Sequence, residues 1–288
     1  MSTTFTTPQG HSVLIRCCEG FEELDACVQL QSDVWGYSDG DIIPRRVFIV
    51  TQKIGGQVLG AFDVTDGAAA SPQNMIGFAM GLPAVWPGIG PNARPKPYLH
   101  SHMLAVLSTY RNAGIGRRLK LAQRTDAIAR GFHLMEWTFD PLEIKNSFLN
   151  IHRLGAVVRR YTPNFYGVSS SRLQGGLPTD RLHAEWWMQS ARVEAILSGA
   201  PPTPPKIQQT IPEVLETISV PHEINEWKSS LTDQVRAFRV QAENREHFQD
   251  AFARGLAVIG FRKDAEGNGI FELGLWQEPS PQNQEMDA

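Results

Sequence analysis

The most constraining feature of this sequence is the segment 110–119, Tyr-Arg-Asn-Ala-Gly-Ile-Gly-Arg-Arg-Leu, which joins an apolar run at 103–106 to a stretch with helical spacing. This order predicts a strand, a glycine turn and the start of a helix. The first amides of a helix have no acceptor within the helix, and glycine lets a ligand approach the backbone, so the arrangement is suited to bind phosphate. An ordinary strand-to-helix turn can carry the same Gly-x-Gly pattern, so the motif alone does not decide between the two.

Length and composition exclude several classes of protein. The 288 residues allow one large domain or two modest ones, and the formal net charge of -3 gives no overall attraction to nucleic acid. We find no signal sequence and no apolar run near the roughly 20 residues that span a membrane. Three cysteines, Cys17, Cys18 and Cys27, show neither metal spacing nor a disulfide framework. We therefore expect a cytoplasmic protein with reduced thiols and no metal, nucleic-acid or membrane partner.

The first half of the chain mixes strand and helix patterns. Strand patterns lie at 11–18, 58–64, 74–80 and 98–106, and helix patterns lie at 20–35 and 45–53. Prolines and glycines at 82–97 predict an irregular loop. After the glycine turn, the spacing predicts a helix that ends at Gly131, with Arg117, Arg118 and Lys120 on its polar face.

A second helix is predicted directly after a strand at 133–139. Asp140 would cap it, Pro141 would occupy its first position, and Glu143 would complete a capping box. Its buried stripe would consist of Ile144, Phe148 and Ile151. Two further strand patterns lie at 156–161 and 183–188, joined by a polar loop at 167–181. Because the central strands have no helix between them, the order predicts an α/β fold with helices packed on a mixed, partly antiparallel sheet.

The remaining chain predicts a small C-terminal α/β extension. A proline-rich linker at 199–206 would separate a first domain, 1–198, from a unit at 207–278, and the polar tail 279–288 would be disordered. Within the C-terminal unit we expect a strand at 214–220, a helix at 233–254 and a hairpin at 256–275. The buried stripe of that helix would be Val235, Phe238, Ala242 and Phe252.

The order of these elements around the glycine turn resembles a known family. Val106, followed five residues later by Arg111-x-x-Gly114-x-Gly116, a helix, a strand and a second helix, is similar to the central motif of the GCN5-related N-acetyltransferases, or GNAT superfamily. The motif follows the fourth predicted strand, and the resemblance covers roughly residues 11–190. The segments 137–142, 150–155 and 176–181 further resemble a less characterised branch, some members of which are associated with N-succinylamino acid racemases.

This resemblance implies a GNAT-like acyl-CoA transferase fold and an acyl-coenzyme A co-substrate, either acetyl-CoA or succinyl-CoA. The pantetheine arm would pair with the edge of one strand, formed by Met103, Leu104, Ala105 and Val106. The pyrophosphate would lie on the turn formed by Arg111, Asn112, Ala113, Gly114, Ile115 and Gly116, with Arg117 and Arg118 beside it. Asn146 and Asn150 would hydrogen-bond the cofactor or the substrate, or merely occupy a polar helix face.

The catalytic groups are harder to assign. His102, His100 and Glu136 are candidates for the general base, and each could equally be an ordinary packed or exposed residue. The family often has a tyrosine as general acid four residues before the position of Gly155, where this chain has Ile151. Either the thiolate leaves unaided, or Tyr166 or Tyr161 supplies the proton.

Three functions remain in competition. The first is an N-acyltransferase acting by direct transfer on a small-molecule amine, in which Asp180 and Arg181 bind an amino acid or succinyl group unless they form only a surface ion pair. The second is a catalytically silent acyl-CoA-binding or regulatory module, suggested by Ile151. The third, a Rossmann-type nucleotide binder, ranks last because a third glycine in register is missing. A homodimer is left open.

Overall fold

The computed structural model describes residues 2–38, 40–86, 95–199, 213–230 and 232–277. The chain divides into two compact units, residues 1–137 with 169–173 (unit 1) and residues 138–168 with 174–288 (unit 2). These are not the domains predicted at 1–198 and 207–278, which remain predictions. Nearly all of the predicted linker 199–206, and the whole predicted tail 279–288, lie outside the described residues.

Unit 1 is built on a sheet whose strands follow each other in chain order. Its described strands are β1 (Ser2–Thr6), β2 (Ser12–Cys17), β3 (Gln57–Asp63), β4 (Met75–Trp86), β5 (Lys96–Val106) and β6 (Leu134–Phe139), which ends two residues beyond the unit's boundary. The first five are antiparallel neighbours, whereas β6 runs parallel to β5. The predicted mixed sheet is confirmed.

Helices cover both faces of the unit 1 sheet. Its described helices are α1 (Gly20–Trp35), α2 (Arg45–Lys53) and α3 (Ile115–Ala129). Val58 and Phe62 of β3 pack in the cluster that contains α1 and α2, whereas Leu59 and Ala61 pack in the cluster that contains α3. Because successive side chains of a strand point to opposite faces, β3 is buried on both sides. The α/β fold class predicted from the sequence is therefore confirmed.

The irregular loop predicted at 82–97 is wrong at both ends. β4 continues to Trp86 and β5 begins at Lys96, with Pro83 opposite Leu99 and Pro97 opposite Val85. Within the described residues, the pairing of β3 with β4 ends at Gly81, so Pro83 lies where β4 has lost that neighbour. Proline is tolerated at such an edge because no ladder bond there requires its missing N–H. Residues 87–94 are outside the described residues.

Unit 2 contains a second antiparallel arrangement of strands. The described strands that lie wholly in it are β7 (Val157–Thr162), β8 (Arg181–Trp187), β9 (Glu216–Val220), β10 (Leu256–Lys263) and β11 (Gly269–Leu275), in the order β8-β7-β10-β11-β9. The predicted hairpin of β10 and β11 is confirmed. β10 also pairs with β7 at Val258 and Val158, so strands from before and after the predicted linker share one sheet.

The helices of unit 2 depart from the predictions in number and extent. They are α4 (Ile144–Ser147), which continues as a π-helical turn at Phe148–Arg153, α5 (Ala191–Ser198), α6 (Ile224–Ser229) and α7 (Gln234–Ala253). Neither α5 nor α6 was expected, and neither was β1 of unit 1. These are short elements, in which few residues carry the periodic signal.

The capping box predicted at Asp140 and Glu143 is wrong. α4 begins at Ile144, and Asp140 instead accepts the Leu142 N–H at 2.8 Å through Oδ1. The ammonium of Lys228 lies 3.0 Å from the other oxygen of Asp140 and 2.9 Å from Glu143 Oε1. Both carboxylates are therefore engaged by a buried lysine that is distant in sequence, and neither caps a helix.

The buried face predicted for α7 is also wrong. Val235 and Phe238 are 67% and 53% exposed, whereas the helix buries Ala237, Gln241, Asn244, Phe248 and Ala251. Gln241 donates to the Pro178 carbonyl at 2.9 Å, and Asn244 donates to the Ser219 carbonyl at 3.0 Å. These two bonds to backbone carbonyls fix the rotation of the helix, so its polar residues face inward.

Candidate functional site

The glycine turn, residues 110–116, leads from β5 into α3 with two residues in the left-handed region. Asn112 has φ 64° and Gly114 has φ 79°. Asparagine and glycine adopt this region more readily than other residues. Ala113 and Ile115 are buried, whereas Asn112 and Gly114 are exposed. Alternate side chains therefore anchor the turn and leave its backbone accessible.

The helix predicted after this turn is confirmed as α3. No side-chain hydrogen bond from the described residues caps its first backbone amides. Gly114 is the N-cap, no side chain of the described residues caps it, and the Arg118 N–H donates to the Gly114 carbonyl at 3.1 Å. The amides of Ile115, Gly116 and Arg117 come before that bond and have no acceptor within the helix. Among the described residues, a Cβ atom added to Gly114 would meet nothing within 4 Å except its neighbours in the chain. An anion fits this helix end, where the dipole is positive.

Tyr110, the first residue of the glycine turn, is held by Asp63 at the end of β3. Tyr110 Oη donates to Asp63 Oδ2 at 2.8 Å, and His11 Nδ1 lies 3.0 Å from the same oxygen. Burial acts to raise the pKa of Asp63, but the hydrogen bonds from Thr65 and Tyr110 outweigh it, so this pKa lies below its usual value. The side chains of His11, Thr65 and Tyr110 thus share the carboxylate of Asp63, and this contact holds Tyr110 against the sheet.

The arginines beside the turn differ in their surroundings. Arg111 is exposed and Arg117 is half-buried. The guanidinium of Arg118 lies 4.9 Å from the ring centroid of Phe5 on β1. A cation over an aromatic face is a stabilising contact of its own, so Arg118 packs on the edge strand.

β5 contains a bulge at His102. Met103 is opposite Met80 and Ser101 is opposite Gly81, so His102 is one extra residue in β5. Met103 packs in the cluster of α1 and α2, while Ser101 bonds to a side chain of α3. A residue added at a bulge interrupts the ladder of backbone hydrogen bonds.

β5 and β6 separate directly before this bulge, an arrangement we call the fork. The two strands pair only where Leu99 faces Met135 and His100 faces Glu136. Among the described residues, they form no further pair from Ser101 onward, although β5 stays paired with β4 as far as Val106. The edge of β5 that would hold pantetheine, formed by Met103, Leu104, Ala105 and Val106, is thus unpaired by β6. Its cofactor-binding role remains a prediction.

The candidate bases of unit 1 lie at the fork. The rings of His100 and His102 have centroids 5.8 Å apart, and burial lowers the pKa of His102 below its usual value. Glu136 is buried and lies opposite His100 in the register. A histidine with a lowered pKa is neutral at neutral pH and can accept a proton.

Lys120 was assigned to the polar face of α3 from the sequence, and that assignment is wrong. The residue is 4% exposed, and burial lowers the pKa of its amine well below the usual range. Its Nζ donates to Ser101 Oγ at 2.8 Å, and Ser101 Oγ donates to Gln123 Oε1 at 2.8 Å. One signal in the sequence could have indicated this burial: Lys120, Gln123 and Ala127 follow each other at helical spacing and so share one face of α3.

Four of the predicted site residues belong to unit 2 and are described within it. Asn146 is exposed and accepts a hydrogen bond from Asn150 at 3.3 Å. The Tyr166 hydroxyl lies 2.9 Å from Thr138 Oγ1, and the guanidinium of Arg181 lies 5.4 Å from the Tyr166 ring centroid. Tyr166 is 47% exposed, so its hydroxyl is accessible to solvent or substrate.

Asp180 is held entirely by protein groups. It is fully buried and accepts hydrogen bonds from the Tyr161 hydroxyl, the Asn164 N–H at 2.9 Å and the Arg245 guanidinium at 2.9 and 3.1 Å. Burial, followed by the bond to Asp180, raises the pKa of Tyr161. These contacts give Asp180 and Tyr161 a structural role.

The position at which the family often has a tyrosine is apolar and closed. Ile151 lies in the π-helical turn and is fully buried. In the described part of the chain, no helix is long and apolar enough to cross a membrane, and no three His, Cys, Asp or Glu residues are grouped to hold a metal ion.

Comparisons with known proteins give similarities in structure alone. No protein-family model matches the chain, and no curated protein matches it. NAA60 of Arabidopsis thaliana, solved with acetyl-CoA, shares 15% identity at a TM-score of 0.47, covering 61% of this chain and 99% of its own. The ribosomal-protein-S18-alanine N-acetyltransferase of Escherichia coli shares 13% at 0.44, covering 62% and 95%. YncA of Salmonella typhimurium, a putative acetyltransferase solved with acetyl-CoA, shares 16% at 0.43, covering 62% and 95%.

Proposed function

We propose that this chain is an acyl-CoA-dependent N-acyltransferase of the GNAT superfamily. It would transfer an acetyl or succinyl group directly to a small amine such as an amino acid. One observation carries the proposal: an uncapped helix start with an open glycine turn directly follows a strand whose edge is unpaired beyond the fork.

Coenzyme A fits these two features chemically. Its diphosphate is an anion that can accept hydrogen bonds from the amides of Ile115, Gly116 and Arg117. The exposed Arg111 adds positive charge nearby. The amides of its pantetheine arm can pair with the edge of β5, as an added strand does. When bound, acyl-CoA supplies the activated thioester, and the protein must supply orientation and proton transfer.

The residues of unit 1 support the proton transfer. Acyl transfer to an amine requires a neutral amine and a stabilised oxyanion. We assign the base to His102, since burial lowers its pKa, and keep Glu136 as the competing assignment. The interrupted ladder at the bulge makes the backbone there a candidate oxyanion donor.

In unit 2, resemblance alone supports Tyr166 as proton donor and Asn146 as a cofactor contact. The exposed hydroxyl of Tyr166 is compatible with that role. Arg181 remains the proposed contact for a carboxylate, whereas the full set of partners on Asp180 leaves it out of the proposal.

A thiol-release assay tests the function. We expect release of coenzyme A when acetyl-CoA or succinyl-CoA is crossed with D- and L-amino acids at several pH values. The buried Ile151 favours a second candidate, a catalytically silent acyl-CoA-binding module. Coenzyme A binding without thiol release across a panel of amines would support that module and contradict the enzyme.

The His102→Gln variant tests the base. We expect kcat to fall about 100-fold with the coenzyme A Kd unchanged, the size of effect typical of a lost general base. Protonation removes the base, so wild-type kcat/KM should fall as the pH drops through the pKa of His102. Because burial lowers that pKa, the acid limb should lie below about 6.5, the usual histidine value.

The control for this variant is His133→Gln, which replaces an exposed histidine that precedes β6. It should retain both kcat and the acid limb. If Glu136→Gln abolishes the acid limb while His102→Gln keeps it, the base is Glu136.

A further inference from the structure

Lys120 is a buried amine within unit 1 for which the proposed chemistry has no use. It extends from α3 beneath the sheet, where its Nζ donates to Ser101 Oγ at 2.8 Å and lies 3.6 Å from the ring centroid of Trp137. Among the described residues, Lys120 forms no ion pair. Its partners are one hydroxyl on β5 and one aromatic face on β6.

Those two partners define the branch point of the fork. His100 and Glu136 are the last paired residues of β5 and β6. Ser101 and Trp137 are the next residue on each strand, and Lys120 contacts both. One side chain thus bridges the two strands at the step where their backbone pairing stops.

Burying an amine without a carboxylate partner costs free energy, and this cost indicates that the amine of Lys120 has a specific role. Strands that diverge leave space beneath the sheet, and protein interiors do not tolerate unfilled space. An apolar side chain would fill it without the penalty of burying an amine that has no carboxylate partner. The amine adds a hydrogen bond to Ser101 and a contact with the ring face of Trp137, which fix the separation of the two strands.

We propose that Lys120 is a positioning residue that holds the β5–β6 fork open, so that the edge of β5 beyond Ser101 stays available to the pantetheine arm of acyl-CoA. The inference rests on the proposed function, because it assumes that coenzyme A lies along this edge. It assigns no contact between Lys120 and the reacting atoms.

The Lys120→Met variant tests the proposal, because methionine keeps the unbranched stem and removes the amine. The probes are coenzyme A, which carries adenosine, the diphosphate and the pantetheine arm, and ADP, which carries adenosine and the diphosphate without the pantetheine arm. We expect the Kd for coenzyme A to rise about tenfold, the upper end of what one ordinary hydrogen bond contributes, and the Kd for ADP to stay the same. Lys53→Met, which removes an exposed lysine of α2, should change neither Kd.

If Lys120 only stabilises the fold, Lys120→Met should change the Kd for coenzyme A and the Kd for ADP by the same factor. The ratio of the coenzyme A Kd to the ADP Kd would then equal that of the wild type. An unchanged ratio in Lys120→Met would overturn the proposal. Ser101→Ala removes the acceptor of the Lys120 amine by a small change and should raise the Kd for coenzyme A relative to the Kd for ADP. If Lys120 acts through Ser101, the double variant should equal the stronger single variant. Should Lys120→Met not fold, Ser101→Ala decides alone, and an unchanged ratio there contradicts the inference.

These outcomes separate the inference from the proposed function. If the wild-type protein binds coenzyme A more tightly than ADP and the variants keep that preference, only the role of Lys120 fails. If the wild-type protein binds neither compound, the proposed function fails, and the inference fails with it.

Discussion

Replacing Gly114 with valine is expected to weaken coenzyme A binding by about 100-fold, the loss of roughly two hydrogen bonds to a charged group. Gly114 has φ 79°, and an added Cβ would meet no described residue other than its neighbours in the chain within 4 Å. In the proposed complex, the branched side chain would take up open space beside the turn that the diphosphate needs. Isothermal titration of the wild type and the variant with coenzyme A measures the change.

A matched control separates blocked binding from backbone strain. Gly131, just after the C-terminal end of α3, has φ 81° and equally open surroundings. Valine at either position should cost about 1–3 kcal/mol of stability, because a branched residue rarely adopts positive φ. Only the Gly114 variant should lose affinity. Equal affinities for coenzyme A in both variants would refute the glycine turn as its binding site.

The Arg245→Met variant is expected to lower the free energy of unfolding by about 3 kcal/mol, because removing one partner leaves a buried charge uncompensated. Asp180 is fully buried, and the guanidinium of Arg245 donates to both of its oxygens. Those hydrogen bonds also raise the pKa of Arg245. Urea denaturation followed by circular dichroism measures the loss.

Arg254 offers the control for this prediction. It pairs with Glu216, and both side chains are well exposed, so Arg254→Met should lower the free energy of unfolding far less than Arg245→Met does. The double variant Arg245→Met/Asp180→Asn should recover part of the stability, since it removes the carboxylate left without its cation. Equal losses for Arg245→Met and Arg254→Met would show that the buried pair contributes no more than a surface pair.

The sequence predicted the elements whose signals are local. α1 ends at Trp35, and Gly36 directly after it has φ 67°. The helix after the glycine turn was predicted over its observed length, because apolar spacing and the glycines around it define both ends. In contrast, Pro83 and Pro97 were assigned to a loop, because only the pairing of β4 with β5 beyond the end of β3 makes proline acceptable there.

The burial of charged residues likewise depends on contacts with distant parts of the chain, which a local sequence pattern does not reveal. Lys120 and Lys228 are both buried, although their neighbours in sequence give each the appearance of a surface residue. What buries them lies far along the chain: Ser101 and Trp137 for the first, Asp140 and Glu143 for the second. A helical pattern reports which residues share a face, and it does not report which polar partners that face will meet.

For the candidate site, the sequence by itself determined the strand, the turn with Gly114 at its centre and the helix start, because backbone φ preference and orphaned amides are properties of adjacent residues. Only the tertiary structure decided where β5 bulges, where β5 and β6 part, and that Lys120 lies at their branch point. The physical reason is that register and burial arise from pairing between distant segments, and no local pattern encodes the partner.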